Sequence, residues 1–353
     1  MLVLLLAALL SLSLSPLARA AEFAPTAYYN VNPYDDTVLG AGLSWRGQWN
    51  HTEVDLGYST AQSEARGRFH YWNDVGLGAR GGFDLQVFHE VQARSDLVPL
   101  IQHGFYEGHT GGIITAYRRL GYHEVGMVSL ISDRVWPLPA RGNLIATERD
   151  RVYSLRLAYQ RDTREDRFNP RTGGRTEVAA TQAARVFGGT RSYLVSTLHW
   201  TRYQALGERG ALAWRLHTAA TAGGLPEQRR LGLPGAGVRG YDFVTAEDRV
   251  NDPGTFVTVA NAEVRLPVLP RENISLGMLG TLMHLQVAAF ADVGTARQAG
   301  SSWIVRGGVG LGVRAPLVAL GRVPMIVRLD VAQGLTRTGR LSTYVLLTAP
   351  ELF

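Results

Sequence analysis

One stretch near the C-terminus alternates most clearly. Trp303, Val305, Val309, Leu311 and Val313 fall on one side of an extended chain, and Arg306, Gly308, Gly310, Gly312 and Arg314 fall on the other. A period of two marks a β-strand, because successive side chains of an extended backbone point to opposite faces. The pattern recurs. Over residues 323–331 the apolar set is Val323, Met325, Val327, Leu329 and Val331, with Arg328 and Asp330 opposite, and Pro324 sits near the strand start, where a missing donor is tolerated. Over residues 255–266 it is Phe256, Ala260, Ala262, Val264 and Leu266, opposed by Asn261, Glu263 and Arg265. Tyr153, Leu155, Leu157 and Tyr159 oppose Ser154, Arg156 and Gln160; Leu212, Trp214 and Leu216 oppose Arg215 and His217; Leu39, Leu43 and Trp45 oppose Ser44 and Arg46.

One such strand suits the core of a soluble sandwich as well as a wall facing lipid. Number and length separate the two. About sixteen segments of roughly ten residues can be marked, an even count of strands long enough to cross a bilayer at a tilt. They lie near residues 23–30, 38–47, 52–60, 67–74, 76–90, 109–118, 121–134, 151–161, 175–185, 191–203, 210–222, 255–266, 281–292, 302–314, 323–332 and 341–353. The expected fold is all-β, a transmembrane antiparallel β-barrel of about sixteen strands, closed because lipid offers no hydrogen bonds to an open sheet edge. The earlier segments are less regular, since Gly81-Gly82, Gly111-Gly112 and Pro99 blur the alternation.

The N-terminus points to export. Residues 1–15 are almost wholly apolar, and Ala18-Arg19-Ala20 supplies the small residues a signal peptidase needs, so residues 1–20 read as a signal peptide and 21–353 as the barrel. Pro16 breaks the apolar run short of the roughly 20 residues a membrane-spanning helix needs. No Lys or Arg precedes the apolar core. The chain has no cysteine, which argues against a thiol enzyme or a cysteine-built metal site. All 36 residues counted as Lys or Arg are arginine, against 30 acids, and guanidinium keeps its proton when buried. The arginines are dispersed, without a basic run. For an exported chain they point away from nucleic acid and toward outer-membrane lipid, lipopolysaccharide or acidic side chains inside a pore.

With the mature N-terminus on the periplasmic side, the connection between the eleventh and twelfth segments is external. It fills residues 223–254, rich in Gly, Pro and charge, and exceeds the roughly 12 to 15 residues beyond which a structureless loop usually carries a function. Gly235, Gly237 and Gly240 formally match the dinucleotide fingerprint G-x-G-x-x-G. That fingerprint needs a buried strand before it and a helix after it. Arg229-Arg230 and Pro234 precede it instead, and residues 242–253 offer no apolar helical face, so no nucleotide and no cofactor is expected.

The same loop also reads Val238-Arg239-Gly240-Tyr241, and two strands later comes Phe290-Ala291-Asp292-Val293-Gly294. With these two motifs the chain resembles the outer-membrane assembly superfamily that includes BamA, TamA and the two-partner secretion transporters. Asn261, Glu263 and Arg265 match the N-x-E-x-R strand that follows the loop in many members. Further likeness runs through Arg161-Asp162, Phe168-Asn169-Pro170, Gly173-Gly174 and residues 308–316, covering the chain from about residue 150 to its end. Phe353 is the aromatic C-terminus typical of such barrels, although Glu351 interrupts the face shared by Val345, Leu347, Ala349 and Phe353. The resemblance implies a bacterial outer-membrane location, a long loop folded back into the lumen, and Arg239 meeting Asp292. It implies protein insertion or translocation as the inherited activity. Members normally carry periplasmic POTRA domains or, in some relatives, a patatin-like lipase. Strands are expected here within a few residues of the signal, so the sequence reads as a barrel-only relative, and a separate periplasmic partner stays open.

The motif makes physical sense without the family. Glu263 and Asp292 are expected on the inner face, where two carboxylates can hold an inserted Arg239 with bidentate geometry. Gly240 permits a tight tip that a Cβ would obstruct, and Tyr241 adds packing and a hydrogen bond. The plainer alternative leaves Arg239 in solvent and the carboxylates solvating the lumen. No G-x-S-x-G elbow is present, and the nine histidines show neither metal-ligand spacing nor a serine partner. His199 and His217 are expected to line the lumen, and no catalysis and no metal is expected. Two functions remain. One is a loop-gated barrel that passes or inserts a polypeptide or lipid client, opening between residues 23–30 and 341–349. The other is a passive pore or structural surface antigen.

Overall fold

The computed structural model describes residues 22–32, 36–60, 62–93, 106–137, 149–167, 169–225, 237–241, 255–268, 273–277, 280–297, 303–319 and 323–348. The expected signal peptide at residues 1–20, most of the 223–254 loop, and Phe353 lie outside them. Among the described residues the chain forms eighteen strands and a single turn of 3-10 helix, Arg185–Phe187.

The chain divides into two compact units. The first holds β1 (Glu22–Asn32), β2 (Asp36–Arg46), β3 (Asn50–Ser59), β4 (Glu64–Asn73), β5 (Gly81–Ala93), β6 (Tyr106–Arg119) and β7 (Glu124–Pro137). These pair each with the next, antiparallel, from Phe23 opposite Trp45 to Ile113 opposite Ile131. Parts of β8 (Asp150–Asp162), β9 (Gly173–Ala183), β10 (Tyr193–Leu206) and β11 (Gly210–Gly223) belong to each unit. The second unit also holds β12 (Phe256–Pro267), β13 (Ile274–Ser275), β14 (Gly280–Leu282), β15 (Gln286–Arg297), β16 (Ile304–Ala319), β17 (Val323–Gly334) and β18 (Leu341–Thr348). Its long strands pair β11 to β12, β12 to β15, β15 to β16, β16 to β17 and β17 to β18, all antiparallel.

Each of the segments marked from sequence coincides with a long strand, and β13 and β14 are additional. The segment expected near 281–292 is displaced to Gln286–Arg297. Residues 281 and 282 belong instead to a small hairpin, with Ile274 opposite Leu282, Gly277 and Gly280 at positive φ, and β14 laid against the end of β16. Similarly, β5 starts at Gly81, because residues 74–80 turn around Gly78 at φ 95°.

Burial decides between a sandwich core and a wall against lipid, because the two demand opposite faces. In the second unit the apolar side of the strands is the exposed one: Val305 is 58% exposed, Leu311 68% and Val345 64%. The polar side is buried, with Arg314 at 3%, Glu263 at 1% and Asp330 at 0%. The first unit shows the same inversion, with Leu39, Leu56, Ile114 and Leu130 exposed and His51, Arg66, Glu107 and His109 buried. A water-soluble sandwich would bury the apolar set. An outward apolar band over antiparallel ladders that satisfy the backbone internally is what a strand crossing hydrocarbon requires.

Leu311→Arg places a guanidinium on that band and should destabilise the protein by about 2 to 4 kcal/mol if residue 311 lies at mid-bilayer. Urea unfolding in phospholipid vesicles reads the difference; an unchanged midpoint would mean that this face does not meet hydrocarbon.

Candidate functional site

Register assembles the site. On β12, Asn261, Glu263 and Arg265 share one face at spacings of two. Across the ladder Asn261 pairs with Asp292 and Glu263 with Phe290, both on β15. Asp292 pairs with Gly308 and Phe290 with Gly310 on β16, and Gly312 pairs with Asp330 on β17. Four strands thus present one continuous buried polar surface. Its three β16 glycines leave a trough: an added Cβ would meet the Arg239 carbonyl at Gly308, the Phe290 ring at Gly310 and the Asp330 carboxylate at Gly312.

The five residues Gly237, Val238, Arg239, Gly240 and Tyr241 lie against this surface. Gly237 and Gly240 both take φ 94°, the left-handed region that a side chain strains. A Cβ on Gly240 would also collide with the Gly334 backbone. Val238 and Tyr241 are 4% exposed and pack with Val257, Val259 and Ala296.

Between them the Arg239 side chain is aimed at three carboxylates. Its Nε donates to Asp292 Oδ2 at 2.7 Å and its Nη2 to Asp292 Oδ1 at 2.8 Å, a two-pronged pair, while its backbone N–H also reaches Oδ2 at 3.0 Å. Nη1 donates to Asp330 Oδ2 at 3.1 Å and to Glu263 Oε2 at 3.3 Å. The guanidinium carbon lies 3.3 Å from the centroid of the Phe290 ring. Burial alone would lower the Arg239 pKa, but the hydrogen bonds and charge of Asp292, then the charges of Glu263 and Asp330, raise it above its ordinary value. The cation is therefore fixed.

The carboxylates are themselves shared. Arg314 donates to Glu263 through Nε at 3.1 Å and Nη2 at 2.7 Å, and its Nη1 pairs with Asp330. Arg265 Nε donates to Glu263 Oε1 at 2.8 Å and Arg328 Nη2 to Asp330 Oδ2 at 3.3 Å. Asn261 Nδ2 donates both to Asp292 Oδ1 at 2.6 Å and to the Gly237 carbonyl at 2.9 Å, and its Oδ1 accepts from Arg215 Nε. Buried ions hold their charge only with such partners, since dehydration of each costs several kcal/mol, as an order of magnitude.

The structure brings Val238, Arg239, Gly240, Tyr241, Asn261, Glu263, Arg265, Phe290 and Asp292 together. Gly294 sits in register between Val259 and Arg306 on the same buried face as Asp292. Arg328 and Asp330 carry only an inward periodicity in the sequence and no motif, and Arg314 lies in the 308–316 likeness with no partner indicated. Tyr344 was missed outright: its hydroxyl accepts from the Gly240 N–H at 2.8 Å and donates to the Tyr241 carbonyl at 3.0 Å. His199 and His217 face one another with their Nδ1 atoms 3.1 Å apart. Among the described residues no group of three or more His, Cys, Asp or Glu is arranged to hold a metal ion.

A family model for the Omp85 superfamily domain matches residues 22–325. The chain belongs to the Omp85 superfamily. Among solved structures it is similar to BamA from Haemophilus ducreyi lacking POTRA domains 1-3, with a TM-score of 0.65 at 11% identity over 93% of this chain and 70% of that one. It is also similar to CdiB from Escherichia coli, with a TM-score of 0.52 at 11% identity over 94% of this chain and 63% of that one, less than two thirds of CdiB's length. No curated protein matches. As an Omp85 member the protein is a transmembrane antiparallel β-barrel of the bacterial outer membrane.

Arg239→Ala strands Asp292 and its neighbours and should cost about 3 to 5 kcal/mol. Arg239→Lys keeps a charge but not the two-pronged geometry, and should recover only part of that. Heat-modifiability on gels and protease resistance of the loop measure both; an Arg239→Ala barrel identical to the parent in both assays would contradict a buried clamp.

Proposed function

We propose that this Omp85 barrel inserts or translocates a polypeptide client across the outer membrane, with its lumen gated by the returned Val238-Arg239-Gly240-Tyr241 tip. The observation that carries the reading is the seating of Arg239 on Asp292 through both prongs of the guanidinium and the backbone N–H. A segment joined to β11 and β12 is thereby held on the inner wall by groups from three strands. Such a contact is strong while formed and is lost as a unit, because removing one partner leaves buried charges uncompensated. That is the behaviour a gate needs, since two discrete arrangements of one segment serve as closed and open states.

Glu263, Asp330 and Arg314 form the seat, and the β16 glycines supply the room. The exposed apolar band takes outer-membrane lipid, with lipopolysaccharide over its outer end. A separate periplasmic protein that delivers the client fits this reading, as does a lipid client in place of a polypeptide. No cofactor enters the scheme. A passive pore or structural surface antigen would share the clamp but not the client.

Two measurements test the proposal. In planar bilayers, Arg239→Ala should raise the mean conductance or the frequency of large openings over the parent barrel. Depletion in the native cell should lower specific outer-membrane proteins or alter lipid composition. Flat conductance would remove the gate, and an unchanged outer-membrane profile would leave the passive barrel.

A further inference from the structure

We infer that Tyr344 is a positioning residue that couples the loop tip to β18, so that the tip follows the position of that strand. The inference rests on the gating proposal for its purpose but on separate contacts for its existence. The charge clamp draws on β12, β15 and β17. A second hold comes from β18, the turn before it and Gly307 of β16, and most of its bonds involve backbone groups.

The Tyr344 hydroxyl uses both of its hydrogen-bonding roles on consecutive tip residues, accepting from the Gly240 N–H and donating to the Tyr241 carbonyl. The Gly240 carbonyl accepts from the Arg340 N–H at 2.8 Å. Tyr241 donates its own hydroxyl to the Gly307 carbonyl at 2.8 Å and meets Thr336 Oγ1 at 2.9 Å. The Tyr344 ring is 6% exposed and packs with Phe290 and Ala332, so it has little freedom to turn while β18 stays in place.

Register joins the two holds. Tyr344 lies directly opposite Asp330, which accepts from Arg239 and Arg314. β18 is the shorter partner, its eight residues paired with residues 326–333 of the twelve in β17. A shift of β18 by one residue would turn Tyr344 to the outer face, because side chains alternate. The Gly240 N–H and Tyr241 carbonyl would then lose their Tyr344 bonds inside the barrel. A buried backbone group without a partner is unfavourable, so release of the tip is the relaxed response. A polypeptide segment that displaces β18 would thus reach the gate through one hydroxyl, without touching Arg239.

The chain lacks cysteine, so a single engineered pair gives a clean disulfide. Leu329 and Val345 are direct cross-strand partners, both exposed, and lie on the outer face away from the site. Leu329→Cys with Val345→Cys pins β18 to β17 when oxidised. Trypsin cleavage after Arg239, followed by mass spectrometry, reports release of the tip itself. Tyr344→Phe keeps the ring and removes only the hydroxyl; its folding is checked by heat-modifiability.

The expected result is that oxidation of the pair slows cleavage after Arg239 in the Tyr344 barrel. Tyr344→Phe should speed that cleavage by at least about tenfold, because it removes both buried hydrogen bonds of the hydroxyl to the tip, and should abolish the protection given by the disulfide. Equal protection with and without the hydroxyl would overturn the coupling, as would cleavage indifferent to Tyr344→Phe. Oxidising and reducing the pair with Tyr344 intact needs no change at residue 344, and cleavage indifferent to the redox state would also overturn it. Conductance separates this inference from gating: coupled cleavage with flat conductance upholds the role of Tyr344 and counts against the gate.

Discussion

A strand that crosses hydrocarbon must satisfy its backbone on its neighbours and turn its apolar side chains outward, and from that constraint the rest of this molecule follows. The antiparallel ladders meet the first demand, and exposed Val305, Leu311, Leu329 and Val345 meet the second. Alternation then forces the remaining half of each strand inward. Polar residues lie there among apolar ones: Asn261, Glu263, Asp292, Arg314 and Asp330 beside Val257, Val259, Phe290 and Ala296. The interior is therefore a place where an arginine can be buried, provided that it finds carboxylates.

Arg239 finds three of them, and the choice of arginine matters. Two parallel donors match the Asp292 carboxylate while the third nitrogen reaches Asp330 and Glu263. A lysine offers one point charge and cannot span the same acceptors. Arg265, Arg314 and Arg328 keep the carboxylates paired from behind, so the seat holds its shape around the incoming charge. The backbone contacts from Tyr344 and Arg340 act on Gly240 and Tyr241, next to the charge but independent of it. Glycine at 240 is needed twice, for its positive φ and for its contact with the Gly334 backbone.

Much of this was legible in the sequence, and the reasons for the remainder are physical. Period-two alternation marks strands because it reports faces, and it overlaps each long strand among the described residues. It cannot distinguish a strand that runs on from one that folds into a hairpin, so Leu282 was read into the strand that begins at Gln286. The motif residues Arg239, Asp292 and Glu263 were found because their spacing carries a family likeness. Asp330 and Arg314 were visible as inward residues, but nothing local names their partners. Tyr344 lies 104 residues from Gly240, and a single tyrosine hydroxyl on a strand leaves no trace in periodicity.

Charge pairing between Arg239 and Asp292 holds the tip on the polar face of β12, β15 and β17. A double-mutant cycle measures that pairing directly, using Arg239→Ala, Asp292→Ala and the double variant unfolded in lipid vesicles. A coupling energy of about 2 to 3 kcal/mol is expected, the upper range for residues in one buried network. Additive effects, with coupling within about 0.5 kcal/mol of zero, would contradict it.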